Sequence, residues 1–274
     1  MSGCEMDKAV ILAAGLGTRM RRADPGARLS DGQAAVADSG VKALIPMGRP
    51  FLDFVLGALA DAGYRRVCLV IGPDHDVLRG YYGETLACRR LSIAFAVQAR
   101  PLGTADAVAA AEAFAGDDPF LVINSDNYYP PEALRALREI DGNGLIAFER
   151  EGLLTGSNVP PERIARFAIL KIDGAGYLTR IIEKPPPEAI QAQPGPICVS
   201  MNCWRFGPGI FPACRAISPS PRGELEIPDA VQYAMDRLGQ RFRALRLHAP
   251  VLDLTSRSDV TGVAERLSGL EVAL

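Results

Sequence analysis

Short apolar runs bounded by glycine or proline alternate along the chain with segments whose apolar residues recur every three or four positions. The run Ala9 to Gly15 (AVILAAG) is continuously hydrophobic, as a strand buried on both faces of a parallel sheet must be. Phe51 to Tyr64 places Phe51, Phe54, Val55, Ala58, Leu59 and Ala62 on one helical face and stops at Gly63. Val67 to Ile71 then reads as a second buried strand, which completes a βαβ unit. The alternation continues with a strand from Ile93 to Gln98, an alanine-rich helix from Thr104 to Phe114, a strand from Pro119 to Asn124 and a helix from Pro131 to Ile140 opened by its proline.

From Gly144 the texture changes to short strand-like pieces: Leu145 to Phe148, Phe167 to Ile172, Tyr177 to Glu183 and Val199 to Phe206. A helix at Ile227 to Leu238, a strand at Phe242 to Leu247 and a last helix near Ser258 to Leu267 follow. The pattern predicts one α/β domain over residues 1–274, with a mostly parallel central sheet flanked by helices in residues 8–143 and a mixed or antiparallel extension in residues 144–274. Arg21 to Gly40 and Glu149 to Arg163 lack either periodicity and are expected to be structureless, and long segments of that kind inside compact domains are usually functional or disordered.

Composition narrows the partners. With 48% hydrophobic residues the chain can bury a large core, and 30 Lys and Arg against 32 Asp and Glu, without a basic run, give nothing that attracts nucleic acid. The polar start MSGCEMDK precedes an apolar run too short for a membrane span or a signal peptide, so a cytoplasmic protein with no membrane partner is expected. Cys4, Cys68, Cys88, Cys198, Cys203 and Cys214 are scattered without metal-ligand spacing and read as reduced thiols. His75 and His248 stand in unrelated contexts and read as ordinary residues, and Trp204 as core or as the wall of a pocket.

Candidate chemistry begins after the first strand, where Gly15-Leu16-Gly17-Thr18-Arg19 offers backbone N–H groups that an anion can approach closely and a guanidinium fork suited to phosphate. No Gly-Lys-Ser/Thr follows, which excludes a Walker loop, and Met20 stands where a dinucleotide fingerprint needs a small residue. Asp126 falls at the carboxyl end of a predicted parallel strand, the edge at which open α/β sheets bind ligands. A carboxylate there suits a hard cation, and magnesium needs only one or two, so Asp126 with Asp229 from the second half is the expected metal pair.

The order AAGLGTRM, VKALIPMGRP with Lys42, QARPLGTADAV with Gln98, NSDN with Asp126, EKP with Glu183 and Lys184, and GELEIPD with Asp229 resembles the sugar-1-phosphate nucleotidyltransferase family from Lys8 to about Leu267. The resemblance implies a Rossmann-like sheet of the nucleotide-diphospho-sugar transferase type, a nucleotide-binding half in residues 8–143 and an acceptor-binding half in residues 144–274. It implies magnesium-dependent transfer of a nucleotidyl group from UTP or dTTP to a sugar 1-phosphate, with release of pyrophosphate. By the family's pattern Ala13, Ala14, Gly15, Gly17, Thr18, Arg19, Lys42, Gln98, Gly103 and Thr104 hold the nucleotide, Arg19 and Lys42 at its phosphates and Gln98 at the base edge through its amide donor and acceptor. Asn127, Glu183, Lys184 and Asn202 hold the acceptor, Lys184 at its phosphate. Catalysis rests on Arg19, Lys42, Asp126, Lys184 and Asp229. A phosphate monoester oxygen is already a nucleophile, so the site has to align and neutralise and needs no Ser or Cys.

The sequence departs from the family at several points. Arg21 to Gly40 is longer than the usual phosphate loop and is expected to be a lid; Ser125 precedes Asp126 where glycine is typical; and the closing segment reads Val251-Leu252-Asp253, then Ser256-Arg257, where an aromatic and Gly-Thr are usual. The absence of hexapeptide repeats implies a one-step transferase, and the last helix is expected to close the domain or to support a homo-oligomer contact. Two other readings stay open, a cytidylyltransferase for a phosphorylated alcohol such as phosphocholine and a non-catalytic nucleotide-sugar sensor.

Overall fold

The computed structural model describes residues 6–186, 188, 190 and 195–274. Cys4, at the start of the chain, lies outside them. The βαβ pattern is realised as a nine-stranded sheet. Its nucleus is parallel: β1 (Lys8–Leu12) lies between β2 (Arg66–Ile71) and β4 (Phe120–Asn124), and β3 (Ser92–Val97) adds outside β2. The apolar alternation predicted for strands buried on both faces divides cleanly. Ile11, Leu69, Ile71, Leu121 and Ile123 face one core layer, whereas Val10, Cys68, Val70, Phe120 and Val122 face the other. The first layer is covered by the helices Phe51–Asp61 and Pro131–Glu139, the second by Thr104–Ala110, Ile210–Ala216 and Ile227–Leu238.

The second half does not form a separate layer. β5 (Asn127–Tyr128) leaves the main sheet, and β6 (Asn143–Glu149) joins it only through β9 (Cys198–Phe206), which runs antiparallel between β4 and β6. β7 (Ile169–Ile172) and β8 (Leu178–Ile182) form a hairpin on β9, and β10 (Phe242–Leu247) closes the edge parallel to β6. The α/β class with a mixed extension is therefore as expected. β11 (Leu252–Asp253) pairs with β5 as a separate two-stranded ladder.

Three expectations about elements need correction. The segment Arg21 to Gly40 is not structureless: Asp31–Ser39 is a helix whose start is a capping box of Ser30 and Gln33 and whose end is Gly40 in the left-handed conformation. Glu149 to Arg163 likewise contains the helices Arg150–Gly156 and Pro161–Ile164. The long helix expected over Thr104 to Phe114 ends at Ala110, because the backbone at Ala111 (φ −90°, ψ 4°) leaves the helical region before a short turn over Glu112–Ala115. Trp204 is fully buried and belongs to the core.

Candidate active site

A cavity of about 430 Å³ opens at the carboxyl ends of β1, β2, β3 and β4, the edge where a wound parallel sheet leaves its strand ends uncovered. Ala13, Ala14, Gly15, Thr18 and Arg19 reach it from the turn after β1, and Ser125 and Asp126 from the end of β4. Lys42 enters on the short 3-10 turn Lys42–Leu44, and Gln98, Gly103 and Thr104 line the side toward β3. Nine of the ten residues predicted to hold the nucleotide thus line one cavity. The tenth, Gly17, has a backbone role. At φ 63° it lies so close to Gly40 that a Cβ would stand 2.0 Å from the Gly40 carbonyl oxygen. Two glycines back to back let the phosphate turn fold against the end of the Asp31–Ser39 helix.

Lys42 Nζ is in direct contact with Asp126 Oδ2, so two of the five residues expected to carry catalysis form one ion pair. Gln98 is buried, and its Nε2 donates to Gly103 O at 2.9 Å and to Asp106 Oδ2 at 2.8 Å. Both donors are consumed, which corrects the expectation that the amide meets a base through donor and acceptor together: only Oε1 is left, and it accepts. Gly103 is packed on the second half, where a Cβ would meet Leu225 N and O at 2.6 and 2.5 Å. Thr104 Oγ1 accepts the N–H of Ile227 at 2.8 Å and so satisfies an orphan donor at the start of the Ile227–Leu238 helix.

The predicted acceptor residues lie outside the cavity's lining. Glu183 and Lys184 follow β8, and Lys184 has φ 44°, a left-handed conformation rare for a non-glycine residue. That bend breaks the strand alternation which would send the two side chains to opposite faces. Asn202 is the other non-glycine residue with positive φ among the described residues, at 54°, and its Oδ1 accepts from Trp204 Nε1 at 3.3 Å. Strain of this kind gathers at functional sites. Burial, reinforced by Glu226 and Asp229, raises the Glu183 pKa above the ordinary carboxylate range. Asn127 is buried, with its amide engaged by Asn124, Tyr129 and Leu252, and serves the β5–β11 ladder.

Asp229 stands in the first turn of the Ile227–Leu238 helix, where burial and Glu226 raise its pKa. Asp253 is the carboxylate placed beside Asp126. β11 pairs with β5 next to Asp126, Leu254 N donates to Asp126 O at 2.8 Å, and burial together with the Asp126 charge raises the Asp253 pKa. Among the described residues both partners of the Asp253 carboxylate are on Oδ1: Thr255 Oγ1 donates to it and Arg163 Nη2 lies 3.8 Å away. Sequence reasoning noticed Asp253 only as a departure in the closing segment, because a two-residue strand carries no periodicity. His75 was also passed over. It lines the cavity, accepts from Gly72 N at 3.2 Å through Nδ1, and has its pKa lowered by burial.

The sequence profile of the nucleotidyl transferase family matches residues 8–248, and the chain belongs to that family. It is 30% identical over 230 residues to a glucose-1-phosphate thymidylyltransferase of Streptomyces griseus, an alignment covering 84% of this chain and 57% of that protein. It is 26% identical over 266 residues to the UTP–glucose-1-phosphate uridylyltransferase AglF of Haloferax volcanii, covering 95% of this chain and 96% of that one. The chain thus spans little more than half of the Streptomyces relative. A solved UDP-glucose pyrophosphorylase in complex with UDP-glucose superposes with a TM-score of 0.72 over 95% of this chain and 98% of its own, at 19% identity, and shares the fold.

Proposed function

We propose that this protein transfers a nucleotidyl group from UTP or dTTP to a sugar 1-phosphate, giving a nucleoside diphosphate sugar and pyrophosphate. The observation that carries the reading is the convergence of the Gly15–Arg19 turn, Lys42 and the Asp126–Asp253 carboxylates on one sheet edge. The N–H groups of the turn and the Arg19 guanidinium take the β and γ phosphates. Lys42 exchanges its contact with Asp126 for a phosphate oxygen, which places a cation beside the charge that develops on pyrophosphate. Lys184 binds the phosphate of the sugar and aims one of its oxygens in line at the α phosphorus.

Magnesium fits the residues present. The Asp126 charge and burial together disfavour the ionised form of Asp253, which a divalent cation shared by the two carboxylates would relieve, and among the described residues Asp253 Oδ2 is left over by its protein partners. Among the described residues no cluster of three or more metal-ligating side chains occurs, and an ion completed by phosphate oxygens and water requires none. Asp126 and Asp253 would hold the ion in place of the Asp126–Asp229 pair expected from the sequence, because the Asp126 charge bears on Asp253 whereas Asp229 is influenced by Glu226 and Arg222; the ion would supply charge neutralisation at the triphosphate.

The base preference follows from Gln98. With both amide hydrogens engaged, Oε1 accepts from the N3–H of uracil or thymine and meets the bare N3 of cytosine unfavourably. The test is pyrophosphate release from UTP, dTTP, CTP, ATP and GTP with hexose 1-phosphates and phosphocholine. Turnover with UTP or dTTP and a hexose 1-phosphate, at least about 100-fold above CTP, is expected; turnover confined to CTP with phosphocholine, or none with any pair, rejects the proposal.

A further inference from the structure

The segment Glu149 to Arg163, which the sequence left without an assignment, supplies two side chains that hold Asp253 from behind. In the antiparallel ladder of β11 with β5, Asp253 faces Asn127 while its neighbour Leu254 donates to Asp126 O. The backbone N–H and C=O of Asp253 therefore point away from β5. They are met by one side chain: Asn158 Oδ1 accepts from Asp253 N at 2.8 Å and Asn158 Nδ2 donates to Asp253 O at 2.8 Å. The amide does for the outer edge of β11 what a third strand would do, and donor and acceptor are both matched.

Arg163 fixes the side chain. Its Nη1 and Nη2 donate to Asp259 Oδ2 and Oδ1 at 3.1 and 2.9 Å, and the same Nη2 stands 3.8 Å from Asp253 Oδ1. Asp259 in turn accepts from Thr255 N, Ser256 N and Ser256 Oγ, so the turn that follows Asp253 is tied to the guanidinium through one carboxylate. Burial works against the Arg163 charge, yet Asp259, Asp253 and Asp126 together raise its pKa above the ordinary value. A fork so anchored has little freedom to swing toward Oδ2.

We propose that Asn158 and Arg163 are positioning residues that hold the Asp253 backbone and Oδ1 in place, leaving Oδ2 presented beside Asp126 for a divalent cation. The inference rests on the two-carboxylate cation site proposed above. It assigns a role to the Asn158–Arg163 stretch that neither the glycine turn nor the lysines require. Partners behind a metal ligand are worth about 10- to 100-fold in metal affinity.

The test is titration of the full chain with Mn2+, followed by loss of the free-ion paramagnetic resonance signal, in Asn158→Ala, Arg163→Gln and Asp253→Asn proteins whose folding is checked by circular dichroism. Asn158→Ala and Arg163→Gln should each raise the Mn2+ dissociation constant about 10-fold or more, and neither should weaken binding further when Asp253→Asn is already present. Should Asn158→Ala fail to fold, Asn158→Asp replaces it, since it keeps the acceptor for Asp253 N and loses the donor to Asp253 O. Wild-type affinity in both variants while Asp253→Asn loses the ion overturns the positioning role alone, as do losses that add fully to that of Asp253→Asn. Wild-type affinity in Asp253→Asn removes the cation site itself and this inference with it.

Discussion

His75 sits half-buried at the rim of the cavity, and its Nδ1 is an acceptor for Gly72 N, so a proton placed there breaks a hydrogen bond as well as charging a partly buried ring. Its folded pKa is lowered from 6.5, chiefly by burial. Between the lowered value and 6.5 the unfolded chain binds more protons than the folded one, so stability is lost as pH falls through that window and is level above it. Comparing urea midpoints at pH 7.5 and 5.5, the wild type should lose more on acidification than His75→Asn; an equal loss would show that His75 is not the group responsible. Gln98 illustrates what was legible at this scale. Its place in the nucleotide site was readable from QARPLGT, but the direction of its hydrogen bonds was not, because Gly103 and Asp106 occupy the donors only after the chain turns back on itself. Asp253 was invisible for a similar reason, since its nearness to Asp126 is created by a pairing between residues far apart in sequence.

The helix Asp31–Ser39 shows the same divide at the level of elements. It has one buried residue, Ala37, so no apolar stripe announces it. Its ends were nevertheless written in the sequence, as Ser30 three residues before Gln33 and as Gly40, signals worth about 1 kcal/mol for the N-cap alone. The surrounding segment is also fastened from outside. Gln33 Nε2 donates to Pro46 O at 2.9 Å, Arg21 donates to Ser39 O, Thr261 donates to Arg28 O, and Arg257 joins Met20 O at 2.9 Å to the Asp38 carboxylate. A lid that stands open without nucleotide is hard to reconcile with these ties. Trypsin should therefore cut poorly after Arg21, Arg22 and Arg28 in the nucleotide-free wild type and at least several-fold faster in Arg257→Ala, which releases the strap between the closing segment and the phosphate turn. Rapid cleavage of the free wild type, suppressed by nucleotide, would restore the lid. The elements with strong periodicity, Phe51–Asp61, Ile227–Leu238 and β10 among them, were read within a few residues of their observed limits.

On the scale of the whole molecule, the division into residues 8–143 and 144–274 describes chain order better than it describes the sheet. Strand identities could be read from apolar runs, whereas the neighbour of each strand could not, and β9 is the case that matters. It separates β4 from β6, so a strand of the second half completes the sheet begun by the first. Synthesis on the ribosome meets this arrangement in order. When β6 emerges, ending at Glu149, its place beside β4 is reserved for a strand that ends at Phe206, 57 residues later (206 − 149). At roughly 5–20 residues per second that is a wait of about 3 to 11 s, during which the apolar edge of β4 and the strand β6 are available to any other extended chain. The nascent chain thus carries an unpaired sheet edge over one interval of its own translation. A chain released at residue 150 should show no cooperative urea transition and should collect in the insoluble fraction, while the full chain unfolds cooperatively. A cooperative transition from the released fragment would mean that the parallel nucleus closes on itself without β9.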